Sequence, residues 1–269
     1  MDLVTVTCLR DYKDMIRQAQ SIHLYLEPCT HWVVVNDEFV DEQFWKDSLT
    51  LYYKNHNLKL LFPKWKEWAF NFIERKIFKP RHPYGYKNQQ VYKLLISENI
   101  NNDYLIIDSD TFFINNCSIE EWKNMIGSGR TMPIDSVPID MQNTIKLYAD
   151  KIDCDIPNYV FDCCVPFMIH HEVMKNVKNL RKTLKWFNRQ SCLQSEFYFY
   201  NLLAYKQGKF DGNSLLTDTK SRLYYDRSLS TFNDHPSLKA ILFKQQYFDD
   251  DEKNRINDFL LSKGISVTF

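Results

Sequence analysis

The chain has 269 residues, with 34 basic and 34 acidic side chains and therefore no formal net charge, and it is 44% hydrophobic and 25% charged. These proportions are typical of a soluble globular protein. Zero net charge argues against a general nucleic-acid-binding protein, which usually carries a large positive excess. Glycine is scarce, and neither G-x-G-x-x-G nor G-x-x-x-x-G-K-[ST] occurs, so the phosphates of a bound nucleotide would need another means of neutralisation.

The cysteine pattern indicates the compartment. Seven cysteines occur at irregular spacing without a C-x-x-C pair, which argues against a disulfide framework or a structural zinc site and favours a reducing compartment. No signal peptide precedes the first predicted strand, and no apolar run approaches the roughly 20 residues of a membrane span. We therefore expect a cytoplasmic protein without a membrane span.

The first part of the chain alternates between predicted strands and predicted helices. Runs of β-branched residues indicate strands, and apolar residues at three- and four-residue spacing indicate helices. The strands are predicted at 3–7, 31–37, 58–63 and 104–107, and the helices at 11–26, 38–54, 64–78 and 88–100. A loop with prolines and basic residues is predicted at 79–90. Strands that alternate with helices in this way predict a parallel sheet with crossover connections.

The second part of the chain is less regular. A Ser-x-x-Glu capping box at Ser118 predicts a short helix over 118–126, and 127–160 mixes loop and helix. Further elements are one or two buried strands at 159–170, helices at 171–187 and 194–208, and a mainly helical tail at 236–263. No repeat, low-complexity segment or linker divides the chain, so we predict a single domain over 1–269.

Two carboxylates interrupt an apolar segment in DYLIIDSDTFFIN, residues 103–115. If a strand continued through them, Asp108 and Asp110 would point the same way, with Cα atoms roughly 6–7 Å apart, and would repel each other unless a cation joined them. One interpretation is a turn in which each Asp caps a backbone N–H. The other is a divalent-cation site at the carboxyl end of a parallel strand, where open α/β sheets bind ligands. Oxygen ligands select Mg²⁺ or Mn²⁺, which also bind substrate phosphates.

Four segments, taken together and in this order, resemble the GT-A-type glycosyltransferases with a D-x-D motif: VTVTCLRD, WVVVND, QQVYKL and YLIIDSDTFF. The resemblance is to poorly characterised bacterial and phage members of the family and includes Gly85, Gln89, Gln90, Lys93 and Leu94. It implies a GT-A-like, Rossmann-type three-layer α/β sandwich with a mostly parallel sheet. Residues 1–120 would then form the half that binds a nucleotide-sugar, and residues 121–269 the half that binds the acceptor.

By this resemblance, Asp108 and Asp110 hold a Mn²⁺ or Mg²⁺ ion that bridges the diphosphate of the donor, with Asp110 as the direct ligand. His235 is expected as a third ligand, with a helix cap as its alternative role, and His170 and His171 are the competing candidates. The other residues expected to line the donor pocket are Thr7, Arg10, Asp11, Asn36, Asp37, Gln90, Lys93 and Ser109. Their alternative roles are capping of strand ends and, for the two in the helix, a solvated helix face.

Two carboxylates of the second half are candidates for catalysis. Glu196 is expected to act as the base that takes the proton of the acceptor hydroxyl, or to contact the acceptor; its alternative is a capping carboxylate at a helix start. Asp162, a polar residue inside the apolar run VFDCCVP, is the second candidate. Arg81 and His82 are candidates to stabilise the departing diphosphate.

The predicted function is metal-dependent transfer of a sugar from a nucleotide-diphosphate-sugar, with UDP as the first choice, to a hydroxyl on a glycan. One alternative is transfer to modified DNA bases, for which basic residues of 79–87 and 175–185 would contact phosphates. Others are a sugar nucleotidyltransferase and a non-catalytic protein that binds nucleotide or carbohydrate. A phosphatase of the haloacid-dehalogenase type fits less well, because Phe112 stands where its motif has threonine.

Overall fold

A computed structural model describes residues 1–37, 40–63, 84–163, 165–189, 195–212, 223–224, 239–243 and 249–266. Strands and helices are numbered here in chain order within these residues. The strands are β1 Asp2–Thr7, β2 Thr30–Val35, β3 Asn57–Leu61, β4 Tyr104–Ile107, β5 Thr111–Phe113, β6 Thr131–Pro133, β7 Tyr159–Phe161, β8 Phe167–Ile169, β9 Leu223–Tyr224 and β10 Ala240–Leu242.

The helices are α1 Tyr12–Tyr25, α2 Glu42–Thr50, α3 Tyr84–Leu95, α4 Ile139–Ile152, α5 His171–Lys175, α6 Leu180–Arg189, α7 Glu196–Lys206 and α8 Asp250–Ser262. The capping box at Ser118 is present and starts a 3₁₀ helix, Ile119–Trp122, rather than an α-helix. No helix within the described ranges is long and apolar enough to cross a membrane.

The central sheet has five strands in the order β3-β2-β1-β4-β8. The first four are parallel, as the alternation of strands and helices predicts, and β8 runs antiparallel to β4. Thr7 pairs with Val35, and Thr5 pairs with Ile107. The carboxyl ends of β1, β2 and β4 therefore lie along one edge of the sheet, so Asn36 after β2 and Asp108 after β4 stand at that edge on either side of the end of β1.

Helices cover both faces of this sheet and complete three layers. Alternate residues of β4 point to opposite faces: Tyr104 and Ile106 belong to one core cluster, whereas Leu105 and Ile107 belong to the other. The first cluster includes buried side chains of α3, α4, α6 and α7, among them Leu94, Tyr148, Leu184 and Phe199. The second includes side chains of α1 and α2, among them Met15, Ile22, Trp45 and Leu49. The predicted α/β sandwich with a mostly parallel sheet is confirmed.

A second sheet joins two distant parts of the chain. β10 pairs antiparallel with β5 and parallel with β9, and α8 packs on it through Ile256 and Leu260. Just beyond β10, the amide of Phe243 donates to the carbonyl oxygen of Asp110 at 2.8 Å. The segment after residue 239 is therefore fastened directly to the turn that follows β4.

Several predicted boundaries are corrected. The helix predicted over 171–187 is two helices, α5 and α6, because Asn179 between them has a left-handed backbone with φ 56°, a conformation that asparagine tolerates at helix ends. The tail predicted as mainly helical contains β10. α3 begins at Tyr84, inside the predicted loop. The helix predicted over 64–78 lies outside the described residues.

Candidate functional site

The D-x-D residues lie in a tight turn and not in a continuous strand. The amide of Thr111 donates to the carbonyl oxygen of Asp108 at 3.0 Å, and β4 and β5 on either side belong to different sheets. The strand alternation expected for Asp108 and Asp110 therefore does not apply. The turn is nevertheless not an exposed hairpin, since Ser109 is 6% exposed and the turn stands at the carboxyl edge of the parallel strands.

A buried lysine joins this turn to the second half of the chain. Lys93 of α3 places its Nζ 2.9 Å from Oδ1 of Asp108 and 3.0 Å from Oε1 of Glu196, the first residue of α7. Lys93 is 6% exposed and Glu196 is 3% exposed. A solvated helix face is therefore wrong for Lys93, and Glu196, at the start of α7, pairs with a buried ammonium group rather than with solvent. The three side chains form a compact charged cluster at the carboxyl edge of the sheet.

The electrostatics of the cluster keep the lysine charged. Burial alone would lower the pKa of Lys93, but the charges of Asp108 and Glu196 and their hydrogen bonds outweigh burial and raise that pKa well above its usual value. Its ammonium group also lies 5.1 Å from the centre of the Phe197 ring, which adds a cation–π contact. Lys93 therefore acts as a fixed positive charge between two carboxylates.

The carboxylates at this edge suit a hard cation. Asp108 and Asp110 both belong to the D-x-D turn, and Glu196 shares the ammonium group of Lys93 with Asp108. Carboxylate oxygens are the ligands that Mg²⁺ and Mn²⁺ prefer. Among the described residues no three His, Cys, Asp or Glu side chains are grouped as a metal site. The expected third ligand, His235, lies outside the described residues.

The ends of β1 and β2 form the neighbouring part of the edge. Thr7 is 1% exposed and Asn36 is 6% exposed, and the Asn36 amide donates to the Thr7 carbonyl oxygen at 2.7 Å. The hydroxyl of Thr7 has no hydrogen-bond partner among the described residues. A buried hydroxyl without a partner is costly, so Thr7 is a candidate to bind a polar ligand atom at this edge.

Arg10, Asp11 and Asp37 are more exposed. Asp37 accepts from the amide of Leu9 at 2.7 Å, and burial raises its pKa although that hydrogen bond lowers it. Arg10 pairs with Asp11, with Nε 3.2 Å from Oδ1, and its side chain is 87% exposed. Strand-end capping therefore describes Asp37, whereas the Arg10 guanidinium extends into solvent beside the edge.

The two glutamines in the middle of α3, Gln89 and Gln90, have different roles. Gln89 donates from Nε2 to the carbonyl oxygen of Val6 at 3.1 Å and so ties α3 to β1. Gln90 is 4% exposed, and its Oε1 has no hydrogen-bond partner among the described residues. Gln90 is thus buried, which excludes the solvated face considered for it, and it has an acceptor available for a ligand.

Asp162 and Glu196 both lie near the thiol of Cys163. Cys163, a free thiol like the other described cysteines, has its Sγ 3.0 Å from the hydroxyl of Ser195. Burial raises the pKa of this thiol, and the charges of Glu196 and Asp162 raise it further. The two candidate catalytic carboxylates therefore lie within electrostatic range of one buried sulfur.

The competing histidines are at the wrong edge of the sheet. His170 has Nδ1 2.9 Å from Oδ2 of Asp103 and Nε2 3.0 Å from the carbonyl oxygen of Met125. The amide of His171 donates to the other oxygen of Asp103 at 2.8 Å. Asp103 precedes β4, and five residues of extended chain place it roughly 16 Å from Asp108. Neither histidine is a ligand for a metal held by Asp108 and Asp110.

The basic segments considered for DNA are partly described. Arg81 and His82 lie outside the described residues. Lys178, Lys182 and Lys185 are exposed, but Arg181 has its Nε 2.7 Å from Oε2 of Glu98. This face of α6 is a solvated surface with one of its charges neutralised by a neighbour.

Sequence reasoning missed Gln18 of α1, which is 0% exposed and donates from Nε2 to the carbonyl oxygens of Asp108 at 2.6 Å and Thr111 at 3.1 Å. The signal was available, because Gln18 lies on the face of α1 that otherwise carries the apolar residues Met15 and Ile22. A polar residue on an apolar helix face needs a buried partner.

Comparison with known proteins identifies the fold. Neither protein-family models nor curated protein sequences gave a match. Among solved structures, the galactosyltransferase LgtC in complex with donor and acceptor sugar analogues aligns with a TM-score of 0.52 at 13% identity, over 100% of this chain and 98% of LgtC. GlyE from Streptococcus pneumoniae TIGR4 aligns with a TM-score of 0.52 at 10% identity, over 99% of this chain and 60% of GlyE. The Rossmann-like GT-A fold implied by the sequence resemblance is thereby confirmed.

Proposed function

We propose that the protein is a metal-dependent glycosyltransferase that moves a sugar from a nucleotide-diphosphate-sugar to an acceptor hydroxyl. The observation that carries the proposal is the buried cluster of Lys93, Asp108 and Glu196 at the carboxyl edge of a GT-A-type sheet. The carboxylate of Glu196 is buried and that of Asp108 is half-buried, and carboxylates withdrawn from water are costly unless a cation or ligand pairs with them. This edge is also where open α/β sheets bind ligands.

The residues that would hold the metal are Asp108 and Asp110, with His235 as the proposed third ligand. When bound, Mn²⁺ or Mg²⁺ supplies Lewis-acid stabilisation of the charge on the diphosphate. Lys93 fixes the carboxylate of Asp108 through its contact at Oδ1, so Asp110 is proposed as the direct ligand. Because the sequence has no glycine-rich loop to bind the donor phosphates, a metal held by these residues would neutralise the negative charge of the phosphates.

The chain's own residues would bind and orient the two substrates. Gln90 Oε1 and the Thr7 hydroxyl, which have no hydrogen-bond partner in the described part of the chain, would bind polar atoms of the donor, together with Arg10, Asp11, Asn36, Asp37 and Ser109. Glu196 would contact the acceptor or take its hydroxyl proton, while the Lys93 ammonium group 3.0 Å away balances its charge. Asp162 is proposed as a further acceptor contact.

Residues 1–120 are proposed as the donor half and residues 121–269 as the acceptor half. The contact of Glu196 with Lys93, which also binds Asp108 of the D-x-D turn, supports this division. UDP is proposed as the carrier, and a glycan is proposed as the acceptor because the balanced charge of the chain and the solvated α6 face do not favour duplex DNA. Absence of retention on duplex DNA at low salt would agree with this choice, and retention that weakens steeply between about 50 and 200 mM salt would reverse it.

The test is hydrolysis and binding of UDP- and GDP-sugars with and without Mn²⁺. We expect turnover that requires the metal, and Asp110→Asn should lower it by about a hundredfold. Asp103→Asn is the matched control, because it changes an aspartate at the other end of β4 and should leave turnover within about twofold. Equal nucleotide binding in EDTA would contradict the metal role. Formation of a nucleotide-sugar from a nucleoside triphosphate would instead indicate a nucleotidyltransferase.

A further inference from the structure

A row of buried polar side chains runs from the D-x-D turn to Tyr53. Beyond the two bonds from Gln18 Nε2 to the turn, Gln18 Oε1 lies 2.8 Å from the hydroxyl of Thr5. That hydroxyl lies 3.0 Å from Nε2 of His31, and Nδ1 of His31 lies 2.7 Å from the hydroxyl of Tyr53. Gln18, Thr5 and His31 are each 0% exposed, so water cannot replace any partner in the row.

The direction of every hydrogen bond in the row is determined by its end. The turn offers two carbonyl oxygens, which only accept, so the amide atom of Gln18 that faces them is the NH₂ group. Its oxygen must then accept the single proton of Thr5. Thr5 can therefore only accept from His31, which requires a proton on Nε2, and a neutral His31 accepts at Nδ1 from Tyr53.

The consequence for the turn is mechanical. Gln18 binds the carbonyl oxygens of Asp108 and Thr111, the first and last residues of the turn, and Asp110 lies between them. We infer that Gln18 is a positioning residue that fixes the Asp108–Thr111 turn, and that Thr5, His31 and Tyr53 hold its amide in the one orientation that can do so. The effect expected on ligand affinity rests on the proposed function, whereas the geometry of the row does not.

The first test uses the wild-type protein without a ligand. Ring ¹⁵N shifts of His31, assigned by comparison with His31→Gln, should report the neutral tautomer protonated at Nε2 at pH 7. Gln18→Met frees the Thr5 proton and should make the two tautomers mix, whereas Tyr53→Phe leaves Thr5 able only to accept and should keep the proton on Nε2. A histidine protonated at Nδ1 in the wild type would overturn the assigned direction and with it the positioning role.

The second test compares two buried polar residues of α1. Gln18→Met keeps the length of the side chain and removes both bonds to the turn; Ser21→Ala removes the bond from the Phe113 amide to Ser21 Oγ, 3.1 Å, just beyond the turn. In calorimetric titrations of Mn²⁺ with UDP, Gln18→Met should weaken binding about tenfold, and Ser21→Ala should change it less than about twofold. Equal weakening in both variants, or none in either, would overturn the inference.

A third measurement separates this inference from the proposed function. If the wild type binds no Mn²⁺–UDP at all, the proposed function fails, but hydrogen exchange at the Thr111 amide still reports on the turn. Exchange there should be faster in Gln18→Met than in Ser21→Ala at matched global stability. Equal exchange rates would show that Gln18 does not position the turn.

Discussion

An aspartate stands at each end of β4, and the two differ in exposure and in the groups that they contact. Asp103, before the strand, accepts from the amide of His171 and lies against the ring of His170, and its side chain is 41% exposed. Asp108, after the strand, shares a buried ammonium group with a second carboxylate from another helix. Asp103 caps a helix start near the surface, whereas Asp108 shares its cation, Lys93, with a carboxylate that lies 103 residues (196 − 93) from that lysine. The contrast is the reason why the site is proposed at the carboxyl edge and not at the amino end of β4.

The largest expected effect is on the buried cluster. Lys93→Met removes the cation that joins the half-buried Asp108 to the buried Glu196, so the free energy of unfolding should fall by about 3–5 kcal/mol. Chemical denaturation measures this. Lys175→Met is the matched control: Lys175 also pairs with a carboxylate, Glu172, but at the surface, and its loss should cost less than about 1 kcal/mol. Similar losses in the two variants would remove the distinction between a buried and a surface pair.

A smaller effect on stability is expected from His31, a buried titratable side chain whose pKa no carboxylate of the described residues raises. Burial, with a minor contribution from the charge of His56, lowers the pKa of His31 from 6.5 to about 3. The unfolded chain then binds a proton more readily than the folded chain below pH 6.5, so stability should fall as the pH drops from 6.5 toward 3 and be independent of this group above that window.

Denaturant titrations at several pH values check this contribution. Between pH 6.5 and 4.5 the wild type should lose about 2 kcal/mol through His31, and His31→Gln should show a correspondingly shallower slope. Parallel pH profiles for the two proteins would mean that His31 is protonated in the fold, which would contradict the arrangement in which Tyr53 donates to it.

The smallest effect is expected at the amino end of β4. Asp103→Ala removes the acceptor for the His171 amide at the start of α5, and loss of such a cap costs about 1 kcal/mol. Thermal unfolding of the variant measures this. A cost above about 3 kcal/mol would place Asp103 in the same class as the buried cluster and end the contrast between the two ends of the strand.

Local sequence pattern was sufficient for the elements that carry the donor half. The β-branched runs predicted β1 to β4, and the three- and four-residue spacing of apolar side chains predicted α1. Each of these elements carries apolar residues along the whole of its buried face. The same patterning placed Asp108 at a strand end. It left the turn as one of two interpretations, since Asp-Ser-Asp-Thr lacks the glycine or asparagine of common tight turns, and the turn depends on Gln18 from another element.

The contact between Lys93 and Glu196 could not be read from the sequence. The two residues are 103 positions apart (196 − 93) and meet only because α3 and α7 pack on the same face of the sheet. β10 was missed for a related reason: three residues, Ala240–Leu242, carry no periodicity, and their strand conformation comes from pairing with β5. The break before Leu180 was partly readable, since asparagine, which stands there as Asn179, adopts the left-handed conformation more readily than most residues.

The hydrogen bond from the Phe243 amide to the Asp110 carbonyl has a consequence for biosynthesis. Asp110 emerges from the ribosome long before Phe243, 133 residues later (243 − 110), and contacts of such large sequence separation form late. A nascent chain that has already assembled β1 to β4 would therefore hold its D-x-D turn without one of its anchors. Completion of the turn is thus coupled to the arrival of β10, whose pairing with β5 has to wait until residues 240–243 have left the ribosome.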